Sequence, residues 1–157
     1  VPYLIDGNNL MGHLFPHSFR EKQSKYSLIH DLSIFQRRKK TRVCVVFDGT
    51  PDQELEKYEK KKFSIFYPPS GQSADGLIKE IIASETDLRR FFVVSSDREI
   101  KRFAASKGAK ALSSKDFSRE LKTTLKQDRR FQEFQKKVSK LSPLEINHWL
   151  NIFKERK

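Results

Sequence analysis

Three short apolar runs in this chain end at, or within three residues of, an aspartate, and that repetition restricts the fold more than any other feature. Pro2-Tyr-Leu-Ile5 runs into Asp6, Val43-Cys-Val-Val-Phe47 into Asp48, and Phe91-Phe-Val-Val94 through Ser95-Ser96 into Asp97. Runs this short and this uniformly apolar suit strands covered on both faces. Stretches with helical spacing separate them, so the alternation predicts an α/β fold around a largely parallel sheet. In such a sheet every strand ends on the same edge, where ligands bind.

Strands are expected at residues 2–6, 42–47, 63–67, 91–94 and 109–112, the third stopped by Pro68-Pro69. Helical spacing appears at 17–40, where Leu28, Leu32 and Phe35 share a face, and at 53–62, 73–86, 98–107 and 114–125. Gly108 suits a helix end. The sequence between 119 and 140 holds eight basic and three acidic residues, with Phe131, Phe134, Val138 and Leu141 at helical spacing, and reads as a basic amphipathic helix. A last helix is expected from Ser142, with Pro143 in its first turn. Its stripe of Ile146, Trp149, Leu150 and Phe153 is expected to pack into a core. The expected organisation is a core over residues 1–125 and a helical extension over 126–157, packed on or beside it. A chain of 157 residues can bury that core without disulfides. The lone Cys44 reads as a strand residue.

The aspartates carry the chemistry. Asp6, Asp48 and Asp97 fall at strand ends, and Asp75 opens the helix after the third strand, so all four should converge in one cleft. Carboxylates a few ångströms apart repel unless a cation joins them. Mg²⁺ or Mn²⁺, bound by hard oxygen ligands, is the cofactor expected there, and no small-molecule cofactor is. A cation so held can act on a phosphodiester and activate water. Each aspartate also has a structural reading. Asp6 and Asp48 precede glycine as turn residues do, Asp75 is placed to cap its helix, and Ser96 with Glu99 has capping-box spacing. Asn9 is expected to hydrogen-bond Asp6 or orient a water, with an Asx-type turn as the alternative. Ser73, Ser95 and Ser96 are placed to orient the carboxylates.

Charge points to the substrate class. Lys and Arg total 32 against 20 Asp and Glu, a net charge of +12, which favours a polyanion. Arg98, Lys101 and Arg102 follow Asp97 and are the residues expected to grip a scissile phosphate. Arg37, Arg38, Lys39 and Lys40 form the densest cluster of candidate RNA contacts. Tyr67 is a candidate stacking surface for an unpaired base. His13 and His17 read as loop residues. No apolar run reaches the length of a membrane span and no signal peptide is visible, so a cytoplasmic protein without membrane contact is expected.

Ile5-Asp-Gly-Asn-Asn9, Val46-Phe-Asp-Gly49, Ser73-Ala-Asp75 and Val94-Ser-Ser-Asp97, in that order, resemble the YacP-like NYN domain family, a branch of the PIN-like nucleases. Ser114-Lys-Asp-Phe-Ser-Arg-Glu-Leu121 is similar to that family's closing helix. The resemblance covers roughly residues 2–125 and implies a PIN-like three-layer α/β/α fold with about five strands, plus C-terminal basic helices. It also implies a metal-dependent endoribonuclease leaving 5′-phosphate products, with RNA as substrate and the ribosome as a further candidate partner. The family's acids fall on Asp6, Asp48, Asp75 and Asp97, and its asparagine on Asn9. Three positions depart. Members often carry Tyr where this chain has Asn8, and further acids where it has Gly76 and Lys79. That departure favours the competing reading of an RNA- or ribosome-binding module without efficient chemistry. A small-molecule phosphatase of the aspartyl-phosphate type lacks its Asp-x-Asp pair here, since Gly7 and Asn8 follow Asp6.

Overall fold

The computed structural model describes residues 2–155; residue 1 and residues 156–157, the outer ends of the two expected regions, lie outside the described residues. Five strands form one sheet: β1 (Tyr3–Asp6), β2 (Val43–Val46), β3 (Phe63–Phe66), β4 (Phe92–Val94) and β5 (Lys110–Leu112). Their order is β3-β2-β1-β4-β5 and every pairing is parallel. The chain first winds outward from β1 through β2 to β3, then returns to the other side of β1 for β4 and β5. The switch point, where a crevice opens at the strand ends, therefore lies between β1 and β4.

Helices α1 (Gly7–Leu14), α2 (Lys22–Lys39), α3 (Ala74–Ser84), α4 (Arg98–Ser106), α5 (Ser114–Ser139) and α6 (Pro143–Glu155) complete the fold, with a 3₁₀ turn at Gln53–Tyr58. The sheet's pleat sorts them into layers. Tyr3, Ile5, Val43, Val45, Phe63 and Ile65 project to one face, where α1, α2 and α5 bury Leu10, Leu28, Leu32, Phe35, Phe117 and Leu121. Leu4, Val46 and Val93 project to the other, where α3 and α4 bury Ile78, Ile82, Ile100 and Ala104. On the first face Tyr3 is edge-on to Phe35 at 5.2 Å and stacked on Phe92 at 5.0 Å. The result is the three-layer α/β/α arrangement.

Local structure departs from expectation in three places. Residues 7–14 form a helix although Gly7, Asn8, Asn9 and Gly12 have poor helix propensity. The Asp6 cap and burial of Leu10 and Met11 outweigh it. His13 thus sits on a helix, not in a loop, with Nε2 3.4 Å from Ser118 Oγ. Second, residues 114–139 are one helix, without a break near Leu125.

Third, the apolar stripe of α6 does not enter the core. Trp149, Leu150 and Phe153 remain 43%, 51% and 49% exposed. Length explains this. The 26 residues of α5 span about 39 Å, whereas strands this short span about 13 Å. The far half of α5 overshoots the sheet, and α6 folds back beside that overhang, with Phe153 edge-on to Phe134 at 4.9 Å. No helix among the described residues is long and apolar enough to cross a membrane.

Candidate active site at the sheet's carboxyl edge

Parallel strands followed directly by helices bring helix N-termini to the same edge as the strand ends. The N-caps of α1, α3, α4 and α5 are Asp6, Ser73, Asp97 and Ser113. Four positive helix ends thus face the edge that carries the acidic cluster and temper its charge.

Asp6 ends β1 beside the switch point and is 5% exposed. Its Oδ1 accepts the Asn9 N–H at 3.3 Å and its Oδ2 accepts from Ser95 Oγ at 2.9 Å. Burial nevertheless lifts its pKa to about 6; the two hydrogen bonds oppose that rise and the nearby charges of Asp75 and Asp48 add to it. Asp97 caps α4, its Oδ1 accepting from Glu99 N at 2.8 Å and Ile100 N at 3.2 Å. The cap is therefore Asp97 itself, not the Ser96 that capping-box spacing suggests. Ser96 Oγ instead accepts the Ser114 N–H at 3.0 Å.

Asp48, following β2, accepts the Ala74 N–H at 2.8 Å and so binds the segment after β2 to the start of α3. Its own N–H donates to Asn8 Oδ1 at 2.8 Å, the role taken by the residue that stands where family members often have Tyr. Asp75 differs from the other three. Ser73 caps α3 by accepting the Gly76 N–H at 3.2 Å. This leaves the Asp75 carboxylate with no hydrogen bond among the described residues. Its pKa is raised, first by burial and then by Asp97 and Asp48, with Lys79 opposing.

The four predicted acids therefore share one edge and sense one another's charge. Among the described residues no three Asp, Glu, His or Cys side chains are gathered to ligand spacing. The acids stand along the edge, three of them placed by their hydrogen bonds to backbone N–H groups. Their chemistry fits Mg²⁺ or Mn²⁺: hard oxygens, two of them on acids whose raised pKa values a cation would bring down. The second oxygens of Asp48 and Asp97 and both oxygens of Asp75 carry no hydrogen bond among the described residues.

The Asn9 side chain does not bond Asp6. The Asn9 side-chain oxygen accepts the Ser96 N–H at 2.9 Å and the Ser114 hydroxyl at 2.6 Å, tying α1 to the end of β4 and the start of α5. Only its backbone N–H reaches Asp6. Of the positions that depart from the family, Lys79 is paired with Glu99 across α3 and α4. A Cβ at Gly76 would meet nothing closer than Ser73 Oγ at 3.6 Å, so the backbone there has room for a side chain.

The predicted basic residues divide between two edges. Arg98, Lys101 and Arg102 lie in the first turns of α4 beside Asp97, with no ion pair among the described residues. Arg37, Arg38, Lys39 and Lys40 end α2, just before β2 begins, and so stand at the edge opposite the cleft. Arg37 is 3.9 Å from Asp128, Lys39 is 3.9 Å from Glu120, and Arg38 lies over the Phe131 ring at 5.6 Å. Tyr67 is packed rather than open. Its hydroxyl is buried and the Lys25 ammonium covers its ring. The exposed aromatic that sequence reasoning missed near the cleft is Phe19, 40% exposed. It was hidden because helical spacing was read from residue 17, whereas α2 begins only at Lys22 and leaves Phe19 in a turn before it.

The family model for the YacP-like NYN domain matches residues 3–153. A crystal structure of Rae1 (YacP) from Bacillus subtilis has a TM-score of 0.70 at 23% identity, covering 99% of this chain and 93% of that one. A Trp-to-Leu mutant of the same protein gives 0.67 at 23% identity, covering 91% and 86%. No curated protein sequence matches the chain.

Proposed function

The chain belongs to the YacP-like NYN domain family, a family with the PIN-like nuclease fold, and from that membership and the carboxylate cleft we propose that it is a metal-dependent endoribonuclease. The observation that carries this reading is Asp75. It stands in the first turn of α3 within reach of the charges of Asp6, Asp48 and Asp97, its pKa is raised, and its carboxylate makes no hydrogen bond among the described residues. A carboxylate shifted by neighbouring acids and left free of hydrogen bonds is available to a cation, which supports the reading.

Asp6, Asp48, Asp75 and Asp97 would hold Mg²⁺ or Mn²⁺. The bound ion would supply Lewis acidity toward the phosphodiester and an activated water. The protein's own contribution is placement. Ser95 and the Asn9 backbone fix Asp6, and α4's first turn fixes Asp97. The Asn9 side chain locks α1, β4 and α5 together around the cleft, with its NH₂ group left to orient water. Arg98, Lys101 and Arg102 offer cations for the phosphates on either side of the cut. The net charge of +12 draws the polyanion in. Products carrying a 5′-phosphate are expected.

A second reading, an RNA- or ribosome-binding module without chemistry, is favoured by one observation: the Arg37–Lys40 cluster faces away from the cleft. In the nuclease reading that surface contacts a longer RNA remote from the cut. The test is cleavage of a labelled mixed-sequence RNA with Mn²⁺, Mg²⁺ or EDTA, by wild type and Asp97→Asn. Cutting that requires the metal and disappears in the variant supports the nuclease. Equal binding by both proteins without cutting supports the module.

A further inference from the structure

A groove of about 690 Å³, lined by Asp48 of the four acids, lies between the segment joining α1 to α2 and the segment after β2. Asn8 and Asp48, joined by their hydrogen bond, line it. Its two walls differ in charge. Phe19, Arg20, Glu21, Lys22 and Lys25 make one, with three cations to one carboxylate; Asp52 and Glu54 stand on the other. None of the three cations has an ion-pair partner among the described residues.

The cationic wall is organised rather than merely charged. Lys25 Nζ sits 4.6 Å from the ring centres of both Phe47 and Tyr67, so its ammonium is held at a fixed place on the floor. Phe19 exposes its ring, and the Arg20 guanidinium lies 5.3 Å from its centre. An aromatic face beside fixed cations is the arrangement that binds a base and its phosphate. On the opposite wall Asp52 is anchored by Tyr26, whose hydroxyl donates to Oδ2 at 2.8 Å, and by the Glu54 N–H at 3.0 Å. Carboxylates there repel phosphate and accept hydrogen bonds, which selects a ligand with hydroxyl donors on its sugar edge.

We propose that this groove is the subsite for a ribonucleotide flanking the scissile phosphate, its phosphate held by Arg20, Lys22 and Lys25 and its base stacked on Phe19. The inference rests on the endoribonuclease reading and adds a strand direction: RNA passes from the metal cleft past Asp48 toward α2. The 2′-hydroxyl faces Asp52 and Glu54, so the groove distinguishes RNA from DNA.

The test measures anisotropy of a short fluorescein-labelled RNA on Asp97→Asn protein in Mg²⁺, a background without cutting. Phe19→Ala, Arg20→Gln and Lys25→Met are added singly, with Lys110→Gln at the far edge as control. Phe19 and Arg20 are exposed, so their loss leaves folding intact even if Lys25→Met perturbs it. Each groove variant is expected to weaken RNA binding by roughly fivefold or more, the control by less than twofold, and DNA of the same sequence to bind less tightly than RNA. Unchanged affinity in all three variants, with wild type still cutting in an Asp97-dependent way, overturns the groove and leaves the nuclease standing. No binding to the background protein and no cutting by wild type overturns both.

Discussion

Ser95 Oγ donates to Asp6 Oδ2 at 2.9 Å while accepting the N–H of Asp97 at 3.1 Å. One fully buried hydroxyl thus sets the positions of two acids that are 91 residues apart in sequence, across the junction of β4 and β1. Ser95→Ala leaves a buried carboxylate oxygen and a backbone amide without their partner. The expected loss is about 1–3 kcal/mol in urea unfolding. Because that hydrogen bond lowers the Asp6 pKa, its removal moves the Asp6 titration to higher pH. Carboxyl-carbon NMR reads this directly, and an unmoved titration would contradict the geometry.

Asp97 has two duties that substitution separates. Asparagine caps helices about as well as aspartate, whereas alanine costs about 1 kcal/mol. Asp97→Asn is therefore expected to keep wild-type stability and lose cleavage, while Asp97→Ala loses both. Asp75→Asn should be nearly neutral in stability, since its carboxylate makes no hydrogen bond among the described residues. Thermal melts beside cleavage assays check all three. A destabilised Asp75→Asn would mean that this side chain has a structural role.

Gly7 lets α1 begin tight against β2. A Cβ there would stand 2.5 Å from Phe47 Cε1 and 2.9 Å from the Val46 carbonyl oxygen. The Phe47 ring is buried and the carbonyl is backbone, so neither yields easily. Gly7→Ala is expected to destabilise by about 1–3 kcal/mol, measured by urea unfolding. It also pushes on Asp6, so metal binding should weaken with it. By contrast Gly12→Ala meets nothing within 4 Å and removes a glycine from a helix. It should stabilise by about 0.5–1 kcal/mol.

The sheet was legible because its strands are uniformly apolar and the acids sit at their ends, a pattern set by burial on both faces. The strand order was not, since which strands pair depends on the direction of each crossover and not on strand composition. Helix α1 was hidden by Gly7, Asn8, Asn9 and Gly12, whose local preference loses to the Asp6 cap and the buried Leu10. The placement of the four acids at one edge was legible, but not their different hydrogen bonds. Ser73, not Asp75, caps α3, and only hydrogen-bond geometry decides that. The Arg37–Lys40 cluster was recognised as basic, yet its place followed from position: it lies just before a strand and so on the edge away from the cleft. The exposed stripe of α6 had the same spacing as a core stripe, and only the overshoot of α5 separates the two.

Asp6 links the site to stability through its raised pKa. In the unfolded chain its carboxyl titrates near the ordinary 3.8, in the folded protein near 6. Below the lower value both states are protonated and Asp6 does not favour either. Between the two values the folded state holds the extra proton, so stability falls as pH rises, and above about 6 the full penalty is present. Two pH units correspond to roughly 3 kcal/mol. Asp6→Asn keeps the cap and accepts from Asn9 as before, so in EDTA it is expected to be more stable than wild type at pH 8 and similar at pH 4. Adding Mg²⁺ or Mn²⁺ should reverse the order, because a cation binding only the folded state stabilises wild type and finds a weaker site in the variant. Differential scanning calorimetry at the two pH values, with metal and with EDTA, measures all four combinations. If wild type is the more stable protein at pH 8 in EDTA, Asp6 is not the strained carboxylate described here. If metal raises the melting temperature of both proteins equally, Asp6 is not a ligand.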